Sequence, residues 1–175
     1  MSTPITELKI RTIGDPALRR NAREVKQITP RHKEILSKMA RLMYERKGIG
    51  LAAPQLGINE CLIIVDVGSG LYKLINPKII KKEGCRVMEE GCLSVPDTYI
   101  KVKRAKKILI KAKDIDCNSI TVEADELLAC VIQHEIDHLK GKLIVDYASF
   151  LDKLKLLGKK SLINKKNARL SKPKI

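Results

Sequence analysis

The stretch His134-Glu135-Ile136-Asp137-His138 sets two imidazoles four residues apart, with a carboxylate directly after the first. On a helix four residues turn about 400°, so both rings leave one face a turn apart. That pair can grip one divalent metal ion, with Glu135 pointing aside as a proton shuttle and not as a ligand. A third ligand must come from another segment. A third histidine six residues on is missing, because that position is Ile144, and no Glu follows Glu135. His32 lies in a polar first helical turn and reads as an ordinary surface residue. Among the thiols, Cys92 in Glu90-Gly91-Cys92-Leu93-Ser94 suits best, since the glycine permits close approach and irregular backbone suits a ligand loop. A Cys-His-His set leaves room for water, whose pKa a bound metal lowers toward about 7. The implied chemistry is metal-assisted hydrolysis of an amide or ester. Attack builds an oxyanion, which the side-chain NH₂ of Gln55 and the backbone N–H of Leu93 can stabilise if both loops border the metal. Asp137 either orients a neighbour or makes a salt bridge.

These residues need a scaffold. Leu127, Leu128, Val131, Ile132, Ile136 and Leu139 spread around much of a helix closed by Gly141, so the histidines ride a buried helix, with Asp125 as its N-cap. Buried imidazoles and carboxylates are costly without partners, which favours a metal there. Thr29-Pro30 begins an amphipathic helix carrying Ile35, Leu36, Met39, Leu42 and Met43, with Gly48 to close it. Gly48 to Gly57 is rich in Gly and Ala and lets a backbone pass close to something else, with Gln55 its polar exception. Cys61–Val67 reads as a buried strand, Gly68-Ser69-Gly70 as a hairpin turn, and Leu71–Ile75 as the return, broken by Asn76-Pro77. Ile79 and Ile80 suggest a further short strand, and Cys85 to Pro96 is neither clean strand nor helix. Ile108, Ile110 and Ala112 alternate, and after a turn at 116–119 so do Ile120, Val122 and Ala124, giving a long antiparallel hairpin. Phe150, Leu151, Leu154 and Leu157 suggest a final helix, followed by a basic extension over 158–175.

A chain of 175 residues, 44% apolar and 31% charged, fits one globular domain, here 1–157. No apolar run reaches the roughly 18 to 20 residues of a membrane helix, and the N-terminus has no signal core, so a cytoplasmic protein with no membrane partner is expected; a monomer is expected as well. The net charge of +15 suggests a polyanionic partner, but 25 Lys against 10 Arg favours a solvated lysine-rich surface over most of the chain. Few aromatics argue against a base-stacking platform. Five cysteines without a CxxC pair point to reduced, mostly buried thiols.

Taken together, Gly48-Ile-Gly-Leu-Ala-Ala-Pro-Gln55, Glu90-Gly-Cys-Leu-Ser94 and Gln133-His-Glu-Ile-Asp-His138 resemble, in order and spacing, the three signature motifs of the peptide deformylase family. The resemblance covers nearly the whole chain. It implies an α+β fold of antiparallel β-sheets packed around a central HExxH-bearing α-helix, with an N-terminal amphipathic helix and a C-terminal helix. It implies removal of formyl from the formyl-methionine of nascent peptides, releasing formate. The implied metal is Fe²⁺, with Zn²⁺, Ni²⁺ or Co²⁺ as substitutes, bound by Cys92, His134 and His138. Glu135 becomes general base and then acid, Gln55 and the Leu93 amide hold the oxyanion, and Gly50 pairs its backbone with the substrate. A basic C-terminal segment at the ribosome also follows from the resemblance. Tyr99 falls where some bacterial members carry arginine. Two other readings remain: another small HExxH metallopeptidase, which cleaves unformylated peptides, or a basic ribosome- or RNA-binding protein with a closed structural metal site, which tolerates Glu135→Gln.

Overall fold

The structure, a computed structural model, describes residues 8–149. The helix expected from Phe150 onward and the basic extension over 158–175 lie outside the described residues. Thr29 precedes helix α1, Pro30–Glu45, whose Ile35, Leu36, Met39 and Met43 recur at helical spacing and are buried. Proline at the first position costs the helix nothing, because no intrahelical partner exists for that N–H. His32 is not a surface residue. It is buried, its Nδ1 accepts the Thr29 N–H at 3.0 Å, and its Nε2 lies 3.5 Å from Glu60 Oε2. It therefore satisfies an otherwise orphaned donor at the start of its own helix.

Seven strands follow: β1 Gly50–Ala52, β2 Leu62–Val65, β3 Tyr72–Glu83, β4 Arg86–Cys92, β5 Val95–Arg104, β6 Lys107–Lys113 and β7 Ser119–Asp125. Among the described residues they form a five-stranded sheet in the order β1-β2-β3-β6-β7 and a separate β4–β5 hairpin, all antiparallel. Helix α2, Glu126–Leu139, carries the two histidines. The molecule is thus α+β, with antiparallel sheets and two α-helices in the described region.

The five-stranded sheet is covered on both faces near β2, as period-two geometry requires of a fully apolar strand. Ile63 and Val65 join Ile108, Ile110 and the α2 residues Ile132 and Ile136. Leu62 and Ile64 join Leu51, Leu56 and α1. The hairpin has its own apolar cluster, where Val95, Ile100 and Val102 meet Leu18, Leu143 and Ile144.

Three local expectations need correction. Asn76-Pro77 does not break the chain, because β3 runs through it. A register shift between Ile75 and Lys78 absorbs the residue that lacks an N–H. Asn76 takes φ +52°, and its side chain both accepts from Val25 N–H and donates to Val25 C=O, each at 2.9 Å. Residues 86–104 form an antiparallel hairpin, hidden from pattern reading because Glu90 and Arg104 point inward. Asp125 does precede α2, but its side chain makes no capping hydrogen bond.

Candidate metal centre and cleft

The apolar residues of α2 sink the helix, and its polar residues go with it: Glu135 is 3% exposed and His138 1%. Gln133 is equally buried and fully paired. It exchanges hydrogen bonds with both backbone groups of Ala105, at 3.0 and 2.9 Å, and so pins the β5–β6 corner to α2. Cys92 ends β4, where a register shift between Gly91 and Cys92 re-aims the strand. Potential ligand atoms of Cys92, His134 and His138 all lie within 4.8 Å of one another. Cys92 Sγ is 3.3 Å from His138 Nε2. The two rings stand 5.0 Å apart and 72° to each other. His134 Nδ1 lies 2.9 Å from Glu90 Oε2, which leaves Nε2 for the site.

These groups fit one small divalent ion. A tetrahedral sphere of one sulfur and two imidazole nitrogens has edges of about 3.5 Å, close to the spacing here. Thiolate and imidazole are matched donors for such an ion. Burial alone would lower the His134 pKa, yet contacts with Cys92 and Glu90 outweigh it and lift it to about 10, so the local field favours a cation. Burial, with His134 beside it, holds His138 well below its usual range and keeps its ring neutral and able to ligate. His138 Nδ1 and Glu135 Oε2 are buried without a hydrogen-bond partner among the described residues. Burial also pushes Glu135 up to about 7, opposed by the charge of His134.

Gln55 sits in a 3-10 turn, Ala53–Leu56. Its Oε1 accepts the Ala52 N–H at 2.8 Å, and its Nε2 lies 3.1 Å from Ser94 Oγ and 3.7 Å from Cys92 Sγ. Leu93 lies in the turn between β4 and β5. Gly50 is in the edge strand β1. A cleft of about 790 Å³ is lined by Gly50, Gln55, Cys92, Leu93, His134 and Glu135. His138 is not in the lining but touches Cys92, which is. The structure therefore brings all seven sequence-proposed residues into one neighbourhood.

It also adds residues that sequence reasoning missed. Arg104, 6% exposed, grips Glu90 through Nε at 2.8 Å and Nη2 at 2.9 Å. Its Nη1 donates to Asp137, which also accepts from Tyr147 Oη at 2.7 Å. Asp137 is thus part of an ion pair that reaches His134 through Arg104 and Glu90. The Arg104 guanidinium also lies 4.9 Å from the Tyr147 ring centre. Glu90 and Ser94 had a signal, their place beside Cys92. Arg104 had none, being one cation in a lysine-rich strand. Two backbone bonds tie the site's loops to the N-terminal segment: Arg11 N–H to Gln55 C=O and Ile13 N–H to Ser94 C=O, both 2.7 Å. The thiols are free, but Cys85 and Cys117 are exposed, contrary to the expectation that most are buried.

Comparison with known proteins agrees with this geometry. The polypeptide deformylase family model matches residues 7–154. A peptide deformylase from Halothermothrix orenii is 47% identical over 141 residues, 79% of this chain and 92% of that one. The crystal structure of peptide deformylase from Thermotoga maritima superposes with a TM-score of 0.79 at 39% identity, covering 81% of this chain and 97% of that one. A Synechococcus elongatus peptide deformylase in complex with actinonin gives a TM-score of 0.84 at 39% identity, over 92% and 88% of the two chains. The chain belongs to the polypeptide deformylase family, enzymes that remove the formyl group from the N-terminus of nascent peptides.

Proposed function

We propose that this chain hydrolyses the formyl amide of N-formylmethionyl nascent peptides, with Cys92, His134 and His138 as metal ligands and Glu135 as the group that moves the proton. The observation that carries the reading is the partly buried Cys-His-His triangle beside a buried carboxylate whose Oε2 has no hydrogen-bond partner among the described residues. A divalent ion held there supplies Lewis acidity, polarising the formyl oxygen and lowering the pKa of a water toward about 7. Glu135 Oε2 accepts a proton as water attacks the formyl carbon. The same oxygen then gives that proton to the departing amine nitrogen, releasing formate and the free peptide N-terminus. A pKa raised toward neutrality suits both halves of this exchange. Gln55 Nε2 and the Leu93 amide donate to the oxyanion. The backbone of Gly50, in the outermost strand of the five-stranded sheet among the described residues, pairs with the peptide main chain. Glu90 accepts the His134 Nδ1 proton and so fixes which ring nitrogen faces the site.

Further parts of the reading rest on the family resemblance and on charge. Residues 1–157 act as one catalytic domain built around α2, with α1 as its N-terminal amphipathic helix. The ion in the cell is Fe²⁺, although the donor set suits Zn²⁺, Ni²⁺ and Co²⁺ as well. The enzyme works as a cytoplasmic monomer, and the basic 158–175 segment docks it on the ribosome. Among the described residues no helix is long and apolar enough to cross a membrane.

The test is formate release from formyl-Met-Ala-Ser by wild type, Glu135→Asp and Cys92→Ala, with bound metal counted in each. Wild type should release formate, and both variants should fall by about 10²-fold or more. Cys92→Ala should also lose its metal, whereas Glu135→Asp should keep it. Equal rates in all three proteins would refute the mechanism.

A further inference from the structure

Gln55 is a flexible side chain, and an oxyanion donor is useful only if it is already aimed when charge develops. Two contacts aim it. The Ala52 N–H, 2.8 Å from Oε1, fixes which end of the carboxamide is oxygen and which is nitrogen. That leaves the NH₂ with two hydrogens to place. One lies toward Ser94 Oγ at 3.1 Å, and the nitrogen is 3.7 Å from Cys92 Sγ. Gln55 is 1% exposed and Ser94 0%, so water is not at hand to replace the serine. Ser94 is itself held, because its carbonyl accepts the Ile13 N–H at 2.7 Å. The serine hydroxyl thus takes one N–H of the carboxamide and leaves the other for the side of Cys92.

We propose that Ser94 is a positioning residue for the hydrolysis, acting through Gln55 by holding its carboxamide in the oxyanion-binding orientation. It touches no reacting atom. The inference rests on the reading of Gln55 as an oxyanion donor. Without the hydroxyl, the buried NH₂ has one hydrogen unpaired. The amide then turns toward other acceptors, and the second hydrogen leaves its aim.

The experiment is a double-mutant cycle on metal-loaded enzyme, with kcat and KM for formyl-Met-Ala-Ser measured in wild type, Ser94→Ala, Gln55→Ala and the double variant. Thermal midpoint and metal content are measured alongside. Removing an oxyanion donor costs about 10² to 10³ in kcat. Ser94→Ala should therefore lower kcat by about tenfold, leave KM within about twofold and keep one metal per chain. In the Gln55→Ala background the same serine change should cost less than about twofold, because nothing remains for it to aim. Ser94→Thr, which keeps the hydroxyl, should recover most of the lost kcat. If Gln55→Ala alone leaves kcat unchanged, the oxyanion reading falls, and the proposal with it. If Gln55→Ala is costly while Ser94→Ala is harmless, or if the two losses multiply independently, only the positioning role is overturned.

Discussion

A β-carbon built on Gly50 would stand 2.3 Å from Glu135 Oε1 and 2.8 Å from Val131 Cγ1. The backbone of β1 therefore lies against the carboxylate assigned to the proton transfer. The family resemblance gives Gly50 a pairing with the substrate main chain; the packing adds a second task, leaving space for Glu135. Gly50→Ala should push the carboxylate aside and lower kcat by about 10²-fold, the scale of a misplaced general base. Metal content should stay at the wild-type level, which a metal assay beside the formate assay will check. A variant with normal kcat would mean that Glu135 has room to adjust. At this scale the short motifs named residues that the structure brings together: Cys92, His134, Glu135, His138 and Gln55. The sequence was silent on Arg104, because a buried cation and an exposed one are the same letter until distant carboxylates close around it.

The β4–β5 hairpin and α2 are joined by that arginine. It holds Glu90 on β4 and Asp137 on α2, and all three side chains are largely withdrawn from water. Removing one member of such a set leaves unpaired buried charge, at a cost of about 3–5 kcal/mol. Arg104→Met should lower stability by that order in urea unfolding. It should also weaken metal retention against a chelator, since Glu90 then loses the partner that fixes its contact with His134. Tyr147 closes the network from outside. Partial burial, and then its hydrogen bond to Asp137, raise its pKa to about 12. A pKa raised by folding gives stability that is whole below the ordinary tyrosine value of about 10 and is lost as pH rises through the folded value. The stability advantage of wild type over Tyr147→Phe should therefore shrink between about pH 10 and pH 12, as followed by urea midpoints. A constant gap would mean that the hydroxyl titrates as it does in the unfolded chain. Periodicity made β2, β6, β7 and the extent of α1 readable. It missed the β4–β5 hairpin because inward-facing Glu90 and Arg104 spoil the apolar alternation, and it split β3 because a bulge lets a strand carry Asn-Pro.

Over the whole chain, 35 Lys and Arg face 20 Asp and Glu. Several cations of the described region already have acidic partners: Arg31 with Glu60, Lys33 with Asp116, Lys78 with Glu24 and Arg86 with Glu126. Residues 158–175 carry Lys159, Lys160, Lys165, Lys166, Arg169, Lys172 and Lys174 and no acid. Deleting them should weaken ribosome binding and flatten its dependence on salt, because fewer phosphate contacts release fewer counterions. Formate release from a short formyl peptide should be unchanged. Ribosome binding that survives the deletion would rule out the docking role. The division of the proposed ligands between hairpin and helix also has a consequence in time. Cys92 and His138 are 46 positions apart, and the histidines lie on the last α-helix of the described region. A growing chain that has made the whole five-stranded sheet still owns the thiol and Gln55 but neither imidazole. On the proposed ligand set, catalytic competence is thus a late event in synthesis, and a chain stalled before Glu126 is inert however well its strands have paired.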